Sequence, residues 1–270
     1  MRISRALAVM TITIMTCTAV QAKDITPDEL RKALEKNPGI LIDAIKANKK
    51  AILDVINQAA QEDQARVQKE AEEAEKKAYE EAFKNPLKPA IDDKTRIRGE
   101  KKAKYTLVEY ADFQCPYCAA GYQNVAELSK KHGNEIRFIF KNLPLPSHPQ
   151  SMAAARWLEA VALQSPEKAW KFHDILFENQ DKLGTGFFKK TANDLGLDAE
   201  RCEREADSQP VKDRIAADMA EASKFGFNGT PAFLLNGIPV NGAYPVEYFE
   251  DIIRKLDGTK TDQSAKESGR

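Results

Sequence analysis

Cysteine is scarce in this chain: 270 residues carry four, at positions 17, 115, 118 and 202. That excludes a disulfide framework, so the fold must rest on a hydrophobic core. Histidine is scarcer still, and His132, His148 and His173 are scattered. No second ligand pair accompanies Cys115 and Cys118, so a zinc site with four suitably spaced ligands is not expected. Charge of one sign is not in excess, since 41 Lys+Arg balance 41 Asp+Glu. A nucleic-acid binder would show a basic surplus. Beyond Ala22 no apolar run is long enough to enter a bilayer. The sequence therefore predicts a soluble protein that binds no nucleic acid, does not insert into a membrane, and carries no metal or cofactor.

The first 22 residues differ from the rest. Arg2 and Arg5 precede an apolar segment from Ala6 to Ala19, and Val20-Gln21-Ala22 offers a cleavage site. This is the pattern of a secretory signal. Cys17 invites a lipoprotein reading, but Thr16 before it fits such a site poorly. Export would place the remaining thiols in an oxidising compartment, periplasmic or beyond.

Residues 23–89 read as a helical extension and linker. Thr26-Pro27-Asp28-Glu29 combines an N-cap, a proline at the first helical position and a capping-box glutamate. That first helix should stop near Asn37-Pro38. A longer helix is expected from about Ile40 to Lys84, where neither Gly nor Pro interrupts. Its first part sets Leu41, Ile45, Ile52, Ile56 and Ala60 on one stripe, widened by Ile42, Leu53 and Val55. Its second part is Ala, Glu, Lys and Gln with Glu/Lys pairs four apart, worth only ~0.2–0.5 kcal/mol each. An apolar stripe must be buried against something. Because the polar helix separates it from the remainder of the chain, residues 40–60 are expected to join copies of the protein as a dimer or trimer. The alternative is that Ile40–Ala60 packs on its own domain and the charged part is a solvated face.

Chemistry concentrates at Tyr105–Gly121, YTLVEYADFQCPYCAAG. Tyr105–Phe113 reads as a buried strand, interrupted only by Glu109 and Asp112. Cys115-Pro116-Tyr117-Cys118 follows at the start of a helical pattern. Unpaired N–H groups and the positive dipole end there favour a thiolate at Cys115. Pro116 suits the first turn, having no N–H to leave unpaired. Cys118, separated from Cys115 by two residues, can reach the Cys115 sulfur and close a disulfide.

Glu135–Leu143 is expected as a second strand, followed by a proline loop and a helical block over Ser151–Asn228. Its core comes from residues such as Trp157, Trp170, Phe172 and Phe177. His173 sits among them, which suits a packed or surface histidine better than a ligand. Cys202, without a partner in sequence, reads as a small buried hydrophobe. Thr230-Pro231 leads into strand Ala232–Leu235, an Asn236-Gly237 hairpin turn, strand Ile238–Asn241 and a helix over Pro245–Leu256. The polar tail, 257–270, is expected to be disordered.

Strand–CPYC–helix, a strand, an inserted helical block, Gly-Thr-Pro-Ala-Phe, a hairpin and a last helix together resemble the DsbA-type thioredoxin-fold oxidoreductases. The resemblance covers about Ile91–Leu256. It implies an α/β thioredoxin fold over 90–256, with helices inserted at 151–228 and an N-terminal oligomerisation segment before it. It further implies a cis Thr230–Pro231 bond beside the Cys115 sulfur, where Thr230 backbone groups pair with an extended client. Glu109 matches a buried acid that assists proton transfer, the alternative being a partly exposed strand acid. Tyr117 would tune the thiolate and shape the contact surface. The extension is similar to that of oligomeric members of the group, and Thr before Pro resembles the isomerases. The expected clients are unfolded or misoxidised exported proteins, with a membrane enzyme as redox partner. The competing readings are a pure dithiol oxidase, a copper-binding protein using the thiol pair, and a surface protein that keeps only the fold.

Overall fold

The computed structural model describes residues 24–93 and 95–267, with 259–267 by backbone alone. The signal segment, Cys17 and residues 268–270 lie outside the described residues. The chain divides at Glu70/Ala71 into two units.

In the first unit, α1 (Pro27–Lys36) starts at Thr26 with the reciprocal capping box expected there: Glu29 N–H donates to Thr26 Oγ1, and the Glu29 carboxylate accepts from the Thr26 N–H. The single long helix expected from Ile40 is instead two: α2 (Gly39–Ala47) ends at Asn48 and α3 (Lys49–Lys84) begins after it. The cause is local. The Asn48 side chain donates to the Ala44 carbonyl at 2.9 Å, an end-of-helix bond that competes with continuation. None of the described residues of α1 or α2 is buried, and Ile40, Leu41, Ile42, Ile45, Leu53, Val55 and Ile56 all stand exposed.

The second unit holds a four-stranded sheet in the order β2-β1-β3-β4, built from β1 (Tyr105–Ala111), β2 (Ile136–Asn142), β3 (Ala232–Leu235) and β4 (Ile238–Asn241). β1 pairs with β2 in parallel through the crossover helix α4 (Pro116–His132), and with β3 in antiparallel, so the sheet is mixed. Alternation along β1 sorts its side chains. Leu107 and Ala111 face the cluster that includes Cys115, Cys118 and Phe233, while Val108 and Tyr110 face Ile139, Leu143 and Phe227. Between β2 and β3 come α5 (Ser151–Gln164), α6 (Pro166–Glu178), α7 (Thr185–Asp194), α8 (Ala199–Ala206) and α9 (Gln209–Lys224). This is the thioredoxin fold with an inserted helical block.

Buried ion pairs lock that block to the sheet. Arg96 holds Glu159 through two bonds of 2.7 and 2.6 Å, and Glu159 also accepts from Asn142 at the end of β2. Lys141 pairs with Glu221 of α9. His173 is fully enclosed by the rings of Phe113, Phe138, Phe140, Trp170 and Phe177, and burial pulls its pKa down to about 4. It is a neutral core residue. Cys202 is buried too, with the Gln164 amide donating to its sulfur at 3.0 Å, and burial pushes its thiol up to about 11.

Two other expectations need correction. The last helix, α10, spans Val246–Glu267 and does not stop at Leu256. Asp257 accepts from Tyr105 Oη and pairs with Lys104, which fixes the helix past that point, and a lone Gly258 costs only ~1 kcal/mol relative to Ala. The stretch 85–89 is also more than a tether. Leu87 N–H donates to the Gly237 carbonyl at 2.9 Å, and the Leu87 side chain packs against the Val108/Tyr110 cluster. Gly237 has φ +87°, and an added Cβ would lie 2.3 Å from the Leu87 carbonyl oxygen. Gly237→Ala is therefore expected to lower stability by about 2 kcal/mol or more, combining a disfavoured φ with a steric clash. Urea unfolding of the variant checks this.

Candidate active site

Cys115 is the N-cap of α4, in extended backbone (φ −73°, ψ 123°), with Pro116 at the first helical position. The Cys115 N–H donates to the Asp112 carbonyl, which closes the turn before the helix, and the Cys115 carbonyl accepts from Cys118 N–H within the first turn of α4. Both thiols are free and buried, Cys115 at 4 % exposure and Cys118 at 0 %. Tyr117 between them is 69 % exposed and forms the surface beside the sulfur.

The two thiols are driven apart electrostatically. Cys115 is pulled down to about 5: the Cys118 S–H donates to its sulfur, and the Cys118 and Tyr117 N–H groups point at it, outweighing burial. Cys118 is pushed far above the ordinary thiol range, by burial first, then by its bond to Cys115 and by the Glu109 carboxyl where that is ionised. One thiol is a nucleophile at neutral pH and the other holds its proton. That division is what dithiol exchange requires.

Glu109 lies on the same face of β1 as Leu107, wholly buried, and neither carboxyl oxygen has a hydrogen-bond partner among the described residues. Burial pushes it up to about 8. The partly exposed strand acid is excluded. The approach of α4 is possible because Gly121 has no side chain: a Cβ there would sit 3.1 Å from Glu109 Oε1 and 3.3 Å from Pro231.

The Thr230–Pro231 bond is cis, and the Cys115 sulfur lies 3.4 Å from the Thr230 carbonyl oxygen. Around it, Gly226, Asn228, Gly229, Thr230, Pro231, Asn241 and Gly242 line an open cavity of about 360 Å³. Residues predicted from three distant stretches, Glu109, Cys115–Cys118 and Thr230–Pro231, thus meet at one place.

Sequence reasoning missed three contributors. Asp112, 1 % exposed, accepts from Gln114 N–H at 2.8 Å and Leu145 N–H at 2.9 Å, and lies 2.7 Å from His148 Nδ1. His148, isolated in the sequence, is therefore part of the turn's support. Gln180, from the helical block, donates to the Phe113 and Cys115 carbonyls. Asp112 stands two residues before the Gln114 N–H it caps, an Asx-turn signal that was available. Nothing local marks Gln180 or His148, whose partners lie tens of residues away.

Comparison with known proteins agrees with this architecture. A family model described as Thioredoxin matches residues 91–255. A thioredoxin-like oxidoreductase from Silicibacter pomeroyi DSS-3 is 29 % identical at a TM-score of 0.57, over 62 % of this chain and 94 % of its own. Wolbachia pipientis alpha-DsbA1 shares the fold at 21 % identity and a TM-score of 0.56, over 66 % and 96 %. Among curated sequences, a Na(+)/H(+) antiporter NhaA from Herminiimonas arsenicoxydans is 35 % identical over 179 residues, 66 % of this chain and 28 % of that protein. The chain spans about a quarter of the length of the curated relatives it matches. Among the described residues, no helix is long and apolar enough to cross a membrane.

Proposed function

We propose, from the premise that this chain belongs to the thioredoxin family, that it is an exported protein thiol–disulfide oxidoreductase that forms and rearranges disulfides in folding proteins. The observation that carries the reading is the split pair itself: a lowered Cys115 and a raised Cys118 beside a cis Thr230–Pro231 peptide.

In the reducing or isomerising direction, the Cys115 thiolate attacks one sulfur of a client disulfide. A Cys115–client disulfide forms and the second client sulfur leaves as a thiolate that takes a proton. Cys118 then gives its proton to Glu109 in the fraction of molecules where that carboxyl is ionised and attacks the Cys115 sulfur, closing Cys115–Cys118 and releasing the client sulfur as a thiolate that takes a proton. In isomerisation a second client thiolate attacks the client sulfur of the mixed disulfide instead, so a new client disulfide forms and Cys115 leaves as a thiolate. Oxidation of a client dithiol runs the same steps backward. The pair ends reduced and is re-oxidised by a membrane partner. The client strand would lie along Thr230 and the neighbouring cavity, adding main-chain bonds as one more strand.

Isomerisation needs a client to be held while its mixed disulfide rearranges. Catalytic domains joined through the apolar faces of α2 and early α3 would supply this by raising the effective concentration. Exposed Leu41, Ile45, Leu53 and Ile56 support that reading, since each such side chain buried in an assembly gains about 1.5–3 kcal/mol. Ile45→Lys combined with Ile56→Lys leaves the thioredoxin unit untouched. The double variant is expected to run as a monomer by light scattering where the parent is a dimer or trimer. It should keep client oxidation and lose recovery of a scrambled-disulfide test protein at equal active-site concentration. Unchanged mass would remove the assembly claim, and unchanged recovery in a monomer would remove its link to isomerisation.

A further inference from the structure

Two carbonyls of the active-site turn converge on one side chain from another part of the chain. Gln180 Nε2 donates to the Phe113 oxygen at 2.9 Å and to the Cys115 oxygen at 2.8 Å. Gln180 opens the short turn Gln180–Lys182 that follows α6, so these bonds tie the helical block to the turn carrying the nucleophile. An amide nitrogen has two hydrogens, and both are engaged here. With two carbonyl acceptors facing it, the nitrogen rather than the oxygen must be on this side.

The Cys115 carbonyl is also where α4 begins, accepting from Cys118 N–H at 3.1 Å and Ala119 N–H at 3.3 Å. The N–H groups of Tyr117 and Cys118 that face the Cys115 sulfur belong to that same first turn. We propose that Gln180 is a positioning residue for Cys115, holding the turn so that these N–H groups stay aimed at the sulfur. It also neutralises two carbonyl dipoles whose negative ends would oppose a thiolate. The role rests on the oxidoreductase reading above and extends it: the helical block takes part in setting the reactivity of the thiol.

The ionisable groups packed around Cys115 come from three elements. They are Cys118 on α4, Glu109 behind it on β1, and Asp112 in the turn, whose carboxylate is turned away toward Gln114, Leu145 and His148. The two Gln180 bonds run to main-chain oxygens, so a change at Gln180 acts through the turn.

The test titrates the reduced full-length protein and its Gln180→Leu and Gln180→Glu variants, following thiolate absorbance and the rate of alkylation. Gln180→Glu keeps the shape but turns a carboxylate on both carbonyls. Its Cys115 midpoint is expected to rise by about one unit, with about a tenfold shift in equilibrium with glutathione toward the oxidised protein. Gln180→Leu should move both in the same direction by less. A residue that only braces the fold would lower the urea midpoint and leave the thiolate titration in place, and that result overturns the proposal. If Gln180→Glu does not fold, Gln180→Leu decides by the same titration. Failure of the wild-type protein to oxidise any client would count against the enzymatic reading, whereas the role of Gln180 stands or falls on the midpoint shift alone.

Discussion

Replacing Cys115 with serine is expected to stop disulfide exchange completely, because the mixed disulfide is formed on this sulfur alone. With the thiol held at about 5, roughly 99 % of it is thiolate at pH 7, against about 1–3 % for an ordinary cysteine. The gain in rate is smaller than that ratio, since nucleophilicity falls with basicity, but the same low value makes Cys115 a good leaving group when an oxidised client departs. Cys118→Ser has a different expected outcome. Attack by Cys115 persists, resolution does not, and a covalent enzyme–client adduct accumulates on non-reducing gels. The serine hydroxyl can still donate toward the Cys115 sulfur, whereas Cys118→Ala removes the largest contribution to its low value. The alanine variant should therefore show a Cys115 titration shifted upward. A Cys115→Ser protein that still oxidised a reduced client would contradict the assignment.

Glu109→Gln should make the protein more stable and less active. In the folded protein Glu109 is raised to about 8, while in the unfolded chain it ionises near 4.5. The folded state therefore binds the extra proton throughout that window. Stability from this group is fully present below pH 4.5 and is lost as pH rises to about 8. The deficit at pH 7 amounts to about 3 kcal/mol, which the uncharged glutamine does not incur. Urea unfolding at pH 4.5 and pH 7 should give similar values for wild type and variant at the lower pH and separate them at the higher. His173 acts in the opposite sense: lowered to about 4, it removes stability as pH falls from about 6.5, and it does so equally in both proteins. The comparison between variants is thus free of it. In function, losing the group that accepts the Cys118 proton should slow resolution of the mixed disulfide by about a hundredfold, with attack by Cys115 unaffected. A variant no more stable at pH 7 would show that Glu109 is not held neutral.

The features legible in the sequence were mostly local. The strand Tyr105–Ala111, the helix opening at Pro116 and the Asn236-Gly237 hairpin each carry their own periodicity or turn chemistry, and each forms within a residue or two of expectation. The order of these elements, together with Thr230-Pro231, was enough to indicate the fold. Contacts between distant segments were harder. Glu109 was legible as a strand residue, but its complete burial depends on Gly121 letting α4 come close. Asp112 and Gln180 act by hydrogen bonds to main-chain groups, and such bonds leave no pattern in the partner's side chains. Asn48 and Asp257 show the same limit at helix ends: one side-chain bond divides α2 from α3, and one ion pair carries α10 beyond Leu256.

Thiol–disulfide exchange at this site depends on Cys115 being a thiolate in the resting reduced protein. The direct measurement is a pH titration of thiolate absorbance in the reduced wild-type protein, with Cys115→Ser as the blank. A single transition at about 5, absent from the blank, is the predicted result. A midpoint near ~8.5, the value of an unperturbed cysteine, would contradict it and leave a thioredoxin fold without the thiol chemistry assigned to it.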